Sequence, residues 1–144
     1  MEPHECIKAH YSVAIEVAKP AAVIFNHLTH DVSKFWPEEF SGQSSQPDDV
    51  FEFRSGNDHY SKNKVIELVP GKKITWLVTD SIRKKDNYSW TGTRMIFELV
   101  PVRDNTRIEF TYDGPVPANE YERLMAICDM VIKDKLYNFI NNAG

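Results

Sequence analysis

Apolar and polar residues alternate in six segments of the chain, and this pattern predicts six β-strands. In the first segment, residues 11–18, the large side chains of Tyr11, Val13 and Ile15 fall on one face. Proline and glycine at positions 70 and 71 predict a tight turn between two of the strands. We therefore expect an antiparallel meander. The other five predicted strands span residues 50–54, 64–69, 74–79, 93–100 and 106–112.

Helical spacing of apolar residues occurs in two other parts of the chain. Pro20 predicts the start of a short helix that runs to about Thr29, and a helical turn over residues 31–35 follows it. The stretch 114–117, Gly-Pro-Val-Pro, is predicted to end the sheet. After it, Asn119 is the expected N-cap of a long helix, with Glu122 three residues later. The apolar stripe of this helix continues for about twenty residues.

The order of these elements predicts the α+β class. One strand, two short helices, five strands and one long helix fit a curved antiparallel sheet of about six strands that wraps around the C-terminal helix. A length of 144 residues favours one domain, so we expect a single domain over residues 1–144 with its core at about 9–140.

Composition and charge exclude several classes of protein. Hydrophobic residues make up 42% of the chain, which argues against a disordered protein. The net charge of −4 gives no broad basic surface, so we predict no nucleic-acid partner. No apolar run reaches the roughly 18 residues that a membrane span needs. The acidic first residues do not resemble a signal peptide, so we expect a cytoplasmic protein in which Cys6 and Cys128 stay reduced.

Candidate catalytic and metal-binding residues are few. His27, His30 and Asp31 have a spacing that can gather metal ligands on one helix face, but no second ligand cluster accompanies them. The neighbouring acids at 38–39 and 48–49 adjoin prolines, which favours solvated loop charge over acid–base chemistry. His59 falls in a predicted loop, and no nucleophile or phosphate-binding motif is present. We therefore predict no catalytic residue, no metal and no cofactor, and leave an enzymatic function open.

The aromatic residues, 12% of the chain, carry the strongest functional indication. They come from separate predicted elements that the expected fold brings together, so we predict that they line an apolar cavity. The alternative is that they simply fill the core, which is the more frequent role of such rings. The predicted ligand-binding residues are Phe35, Trp36, Phe53, Trp76, Trp90, Met95, Phe97, Phe110, Tyr112 and Met125.

Within this set we expect the rings at the open end of the cavity to be the most exposed to a ligand, and the polar atoms of Tyr112 or Trp76 to orient it. The rings assigned to the open end are Phe35, Trp36, Trp90 and Tyr112.

Three segments in this order resemble a known superfamily. Residues 24–42 resemble the opening of the START-related lipid-transfer and polyketide-cyclase proteins, and residues 69–76 resemble the hairpin after their third strand. Residues 93–110 resemble their last hairpin. The branch that the chain is most similar to is the one related to the activator of the heat-shock-protein-ninety ATPase. The resemblance implies a helix-grip fold, in which the sheet and the long helix enclose an apolar cavity.

Three functions follow as hypotheses. The first is a non-catalytic carrier or sensor that binds a small hydrophobic molecule in the cavity. The second, implied by the resemblance alone, is a module that associates with a chaperone. The third is an enzyme of cyclase or hydrolase type that uses the same cavity.

Two features of the long helix bear on partners. Lys135 lies within its apolar stripe, and we expect its side chain to reach outward to solvent. Ile127, Met130 and Tyr137 form an apolar cluster on another face, which leaves a monomer or a weak homodimer open.

Overall fold

The computed structural model describes residues 6–56, 59–83 and 90–142. Its seven strands form one antiparallel sheet in the order β1-β7-β6-β5-β4-β3-β2. The predicted α+β fold, a curved sheet against a long C-terminal helix, is therefore confirmed. The strands are β1 (Cys6–Val17), β2 (Glu39–Gly42), β3 (Val50–Ser55), β4 (His59–Val69), β5 (Lys73–Arg83), β6 (Arg94–Val102) and β7 (Asn105–Pro117).

Helices occur between β1 and β2 and after β7. The two short ones are α1 (Ala21–His30) and α2 (Val32–Phe35). After β7, one turn of 3-10 helix (Ala118–Glu120) leads into α3 (Tyr121–Asp129), a π-helical stretch (Met130–Leu136) and α4 (Tyr137–Asn142). These last three segments are continuous, and we call residues 121–142 the C-terminal helix. None of the helices in the described part of the chain is long and apolar enough to cross a membrane.

The sheet is larger than the sequence predicts. The seventh strand, β2, covers residues that the sequence pattern gave no strand, because serine and glycine have low strand propensity. The strand forms because it pairs with β3, where Phe40 lies opposite Phe53. β4 begins at His59, which was predicted to lie in a loop, and β5 continues to Arg83, beyond the predicted strand 74–79. The sequence pattern predicts a loop over residues 80–87, and residues 84–89 lie outside the described part of the chain.

The prediction that residues 114–117 end the sheet is wrong. β7 continues through Gly114 to Pro117 and pairs there with the start of β1. β6 no longer contributes, because its pairing with β7 stops at Asp113. The prolines therefore lie where β7 has a neighbour on one side only, a position in which a missing backbone N–H is tolerated.

The predicted N-cap at Asn119 is also wrong. Asn119 lies within the 3-10 turn, and Glu120 is the N-cap of α3, without a capping hydrogen bond from its side chain. The carboxylate of Glu120 instead accepts a hydrogen bond from the guanidinium of Arg123 at 2.9 Å. The spacing of Asn119 and Glu122 fits an N-cap and the third helical residue, but one turn of 3-10 helix precedes α3, so the α-helix begins later in the chain than predicted.

The core lies between the inner face of the sheet and the helices. Ile24 and Leu28 of α1 are fully buried there, as their helical spacing predicted. Val131, Ile132 and Leu136 bury the π-helical stretch of the C-terminal helix against the sheet.

Candidate functional site

A cavity of about 320 Å³ lies between the inner face of the sheet and the C-terminal helix. The segment after α2 and strands β3 to β7 form one wall, and the helix forms the other. The side chains that line it from the helix are Arg123, Leu124, Ile127, Cys128, Met130 and Val131.

Six of the ten predicted ligand-binding residues line this cavity. Trp36 stacks on Phe53, with ring centroids 4.7 Å apart and planes 8° from parallel. Trp90 meets Tyr112 edge to face at 6.1 Å. Offset and edge contacts of this kind hold rings in fixed orientations. The six residues are Trp36, Phe53, Trp90, Met95, Phe110 and Tyr112.

The other four predicted residues lie outside the cavity lining. Phe35 is buried and stacks with Phe139 of the C-terminal helix at 6.1 Å. Trp76 and Phe97 are fully buried, with ring centroids 5.0 Å apart. Met125 is on the C-terminal helix but does not reach the cavity. The rings of Phe35, Trp76 and Phe97 fill the core, which is the alternative role that the sequence left open for them.

A row of polar side chains interrupts the aromatic wall. Alternate positions on β4 bring His59, Ser61 and Asn63 to the inner face, and Ser81 lies opposite Ser61 on β5. We call these four residues the polar strip. His59, Ser61 and Ser81 line the cavity, and Asn63 donates a hydrogen bond from Nδ2 to Ser61 Oγ at 3.4 Å. Within the described part of the chain, Ser81 Oγ and Asn63 Oδ1 are buried without a hydrogen-bond partner.

Sequence reasoning missed the polar strip for a physical reason. Both faces of β4 are polar between residues 59 and 64, so the period of two that identifies a half-buried strand is absent. Only the pairing of β4 with its two neighbours reveals which of these residues point inward.

A histidine–carboxylate pair stands at one side of the cavity. His59 Nδ1 lies 2.7 Å from Glu38 Oε2, and the indole of Trp36 donates to Glu38 Oε1 at 3.3 Å. A carboxylate only accepts hydrogen bonds, so His59 carries its proton on Nδ1 and its Nε2 remains an acceptor in the neutral ring. Glu38 was predicted as solvated loop charge, but it orients His59 instead. The two residues are 21 positions apart, so no local spacing could indicate the pair.

The cavity reaches the surface beside the C-terminal helix. Ile127 and Met130 line it and are still 37% and 40% exposed. The sequence grouped them with Tyr137 in a separate surface cluster, but Tyr137 alone lies outside the cavity lining. The π-helical stretch begins at Met130, and π-helical turns frequently occur at functional sites.

The thiol of Cys128 and the hydroxyl of Tyr112, which both line the cavity, keep their protons at neutral pH. Burial raises the pKa of the Cys128 thiol to about 12, so it is not a thiolate nucleophile at neutral pH. Burial likewise raises the pKa of Tyr112 above its usual value. Thr93 Oγ1 donates to the carbonyl of Trp90 at 2.7 Å, so the Tyr112 hydroxyl donates to Thr93 Oγ1 at 3.0 Å. Tyr112 therefore faces the cavity with its proton already engaged.

The remaining candidates lie elsewhere. His27 contacts Asp31 at 2.8 Å and packs on the ring of Phe139, whereas His30 turns to Thr29. Within residues 6–56, 59–83 and 90–142, no three metal-ligating side chains come together. Lys135 is exposed and does not line the cavity.

Comparison with solved structures places the fold among known ones. The chain is similar to the solution structure of the Aha1 dimer from Colwellia psychrerythraea, with a TM-score of 0.77 and 20% identity over 94% of this chain and 99% of that one. An uncharacterized protein from Rhizobium leguminosarum matches with a TM-score of 0.73 and 12% identity, over 94% and 97% of the two chains. Norcoclaurine synthase from Thalictrum flavum, solved with dopamine and hydroxybenzaldehyde, matches with a TM-score of 0.66 and 14% identity, over 96% of this chain and 90% of that one. At these identities the likeness establishes the fold alone.

Sequence comparison adds the family. No curated protein matches the chain significantly. The sequence profile of one family, described as Activator of Hsp90 ATPase homolog 1-like protein, matches residues 18–136. That range holds α1, the whole cavity wall and most of the C-terminal helix, and it confirms the resemblance to the corresponding branch of the START-related superfamily. The chain belongs to the Activator of Hsp90 ATPase homolog 1-like family.

Proposed function

We propose that the protein is a non-catalytic carrier or sensor, acting in the cytoplasm, that binds a small hydrophobic molecule in the cavity between the sheet and the C-terminal helix. The observation that carries the proposal is the cavity itself, about 320 Å³ in volume and walled by aromatic rings from separate elements. Its volume falls within the range of small-molecule sites, roughly 300–1,000 Å³.

The energetics support a hydrophobic ligand. Each Å² of apolar surface removed from water contributes about 25 cal/mol, so a two-ring compound that buries about 200 Å² gains about 5 kcal/mol before the costs of association. The rings are held by contacts with one another, as in the Trp36–Phe53 stack. A wall that is already ordered loses little entropy when a ligand enters.

The test is to fill the cavity from the helix side. Cys128→Phe places a ring in the cavity, because Cys128 is buried and lines it. Met125→Phe is the matched control, since Met125 lies on the same helix outside the lining. The probe is naphthalene, and the readout is the fluorescence of the protein, because Trp36 and Trp90 both line the cavity. Native mass spectrometry of freshly purified protein tests for a retained molecule.

We expect naphthalene to change the fluorescence of the parent and of Met125→Phe saturably, and to leave Cys128→Phe unchanged. Circular dichroism of both variants verifies that they are folded. If the folded parent binds neither naphthalene nor a retained molecule, the carrier proposal is wrong. Equal binding by the parent and by Cys128→Phe would show that naphthalene binds outside this cavity.

Family membership favours a second candidate, a module that associates with a chaperone, because the matching profile is named for an activator of the Hsp90 ATPase. Its test is the ATPase rate of Hsp90 with and without the protein. Stimulation that persists in Cys128→Phe would assign the effect to the surface of the protein rather than to its cavity. No stimulation at any ratio of the two proteins removes this candidate.

Self-association is a further part of the proposal, as a monomer in equilibrium with a weak homodimer. It is supported by the exposed apolar side chain of Tyr137 on the C-terminal helix and by the description of a similar structure as a dimer. Sedimentation velocity over a wide range of concentrations tests it. A sedimentation coefficient that does not change with concentration would exclude the dimer.

A further inference from the structure

We propose that the ligand is an uncharged molecule with an apolar body and a hydroxyl group, and that the polar strip receives the hydroxyl. This inference rests on the proposed function, since it states which chemistry the same cavity selects. The strip is the juxtaposition of His59, Ser61 and Asn63 on β4 with Ser81 on β5.

Three of the four residues of the strip are buried, and their polar atoms are costly to leave without hydrogen-bond partners. Ser61 is 7% exposed, Ser81 4% and Asn63 0%. A buried polar atom without a partner loses the hydrogen bonds that it made to water and gains none in return. In the described part of the chain this is the state of Ser81 Oγ and Asn63 Oδ1. Ser81 lines the cavity, so a bound molecule can supply the missing partner.

Two atoms of the strip can only accept a further hydrogen bond. Asn63 uses its amide nitrogen on Ser61, so in the orientation that the structure gives it the amide oxygen is left over, and an oxygen of this kind only accepts. His59 donates from Nδ1 to Glu38, which leaves Nε2 as an acceptor in the neutral ring. The hydroxyls of Ser61 and Ser81 can each donate or accept. A ligand that carries a donor therefore complements the strip better than one that only accepts.

The charges around the cavity disfavour an anionic head group. With His59 neutral, the Glu38 carboxylate gives one edge of the cavity a negative charge, and the Arg123 guanidinium is already paired with Glu120. The buried serines and Asn63 carry no charge. Because Arg123 is already paired, a carboxylate seated on the strip would lack a counter-ion and would add two more acceptors beside the Asn63 amide oxygen. A hydroxyl has a donor and no charge, so the arrangement favours an alcohol or phenol over a fatty acid.

Three probes with the same two-ring body separate these chemistries: naphthalene, naphthol and naphthoic acid, which is ionised at neutral pH. Binding is measured by isothermal titration calorimetry to the parent protein and to Ser81→Ala. We expect naphthol to bind about tenfold more tightly than naphthalene, the factor for one net hydrogen bond. Naphthoate should bind most weakly. Ser81→Ala should lower the ratio of naphthol to naphthalene affinity to about two- or threefold while naphthalene binds as before.

Ser44→Ala is the matched control. Ser44 is as buried as Ser81, at 4%, but its hydroxyl donates to the carbonyl of Thr29 away from the cavity. Its removal should leave the affinity ratio of the parent unchanged. A ratio that falls equally in both variants would trace the effect to general destabilisation and overturn the role of the strip.

The outcomes separate this inference from the proposed function. If none of the three probes binds, the carrier proposal fails and this inference fails with it. If naphthalene and naphthol bind equally, the cavity is a hydrophobic site, but the strip selects nothing and is satisfied by water alone. If naphthoate binds most tightly, the claim of an uncharged ligand is wrong. An unchanged ratio in Ser81→Ala rules out the strip as the seat of the hydroxyl.

Discussion

Two buried serines, Ser44 and Ser81, differ in whether the hydroxyl has a hydrogen-bond partner. Ser44 and Ser81 are equally buried, at 4% exposed. Ser44 Oγ donates to the carbonyl of Thr29 at 2.8 Å and so joins the segment after β2 to the end of α1. Ser81 Oγ faces the cavity with no partner among the described residues. A buried hydroxyl that lines a cavity and has no partner in the fold points to a role in binding.

This contrast gives opposite expectations for stability. Ser44→Ala should lower the free energy of unfolding by about 1–2 kcal/mol, because the Thr29 carbonyl loses its partner in a buried place. Ser81→Ala should leave it unchanged or raise it by about 1 kcal/mol, since a buried polar atom without a partner is removed. Urea denaturation of both variants measures the two values. A clear loss in Ser81→Ala would mean that its hydroxyl has a structural partner.

The thiol of Cys128 should be chemically inert in the folded protein. Burial raises its pKa to about 12, so the reactive thiolate is scarce at neutral pH, and the side chain is 6% exposed. In a Cys6→Ser background, we expect a chromogenic disulfide reagent to react with Cys128 at least about a hundredfold more slowly in buffer than in denaturant. Equal rates in both solutions would contradict the burial of this thiol. A bound ligand in the cavity should slow the reaction further.

Strand β2 ends at a glycine that the sheet requires. Gly42 has a φ of +113°, and a Cβ at this position would lie 2.6 Å from the carbonyl oxygen of Val50 on the neighbouring strand. Both the backbone angle and the close approach of β3 therefore require glycine. The strand lies at the edge of the sheet and leads directly from the Trp36–Glu38 wall of the cavity. A change that displaces β2 from the sheet should therefore also displace the cavity wall that precedes it.

Gly42→Ala should destabilise the protein by about 2–4 kcal/mol, because the new methyl group meets backbone atoms that cannot move independently. Gly56→Ala is the control at another positive φ, +58°, where a Cβ meets nothing within 4 Å. It should cost about 1 kcal/mol, the strain of the backbone angle alone. Thermal or urea unfolding compares the two variants. Equal losses would show that the contact with β3 contributes nothing.

A polar contact joins β1 to the C-terminal helix. The Tyr11 hydroxyl donates to the carboxylate of Asp129, at the end of α3 just before the π-helical stretch. Burial and this hydrogen bond raise the pKa of Tyr11 to about 12. The folded protein therefore keeps the proton at pH values where an unfolded tyrosine, with a pKa near 10, releases it.

This shift predicts a loss of stability in alkali. Ionisation above pH 10 favours the unfolded chain, so the contribution of Tyr11 is complete below pH 10 and disappears as the pH rises towards 12. Tyr11→Phe should lower stability by about 1 kcal/mol at pH 7, because the hydrogen bond to Asp129 is lost. It should also lose less stability than the parent between pH 10 and 12. Urea unfolding at a series of pH values gives both curves, and parallel curves would contradict the shift.

At the scale of the whole molecule, ligand binding and folding are one equilibrium. The cavity has walls from the sheet and from the C-terminal helix, so only the folded chain can bind a molecule there. Naphthol at about one hundred times its Kd should stabilise the parent by about 2.7 kcal/mol. For a chain of this size the Tm should rise by roughly 5–10 °C. Differential scanning calorimetry should detect no such rise for Cys128→Phe, and a rise equal to that of the parent would place the ligand outside the cavity.

The sequence by itself determined the class of fold and most of its elements. Strand and helix periodicity are local properties, so six strands, two short helices and the long helix were predictable from Val13, Ile24 or Leu124 and their neighbours. Local rules failed where pairing overrides propensity. β2, the polar start of β4 and the proline-containing end of β7 exist because neighbouring strands supply their hydrogen bonds.

Only the tertiary structure decided which rings face the cavity. Trp36 and Trp76 have the same chemistry and both were predicted to line the cavity, but Trp36 lines it while Phe51 and Phe97 enclose Trp76. The polar strip and the Glu38–His59 pair were likewise beyond the sequence, since their members come from different strands and loops. A hydrophobic pattern specifies that a side chain is buried. The neighbours against which it is buried depend on how the elements pack together, and the local periodicity of the sequence does not specify that packing.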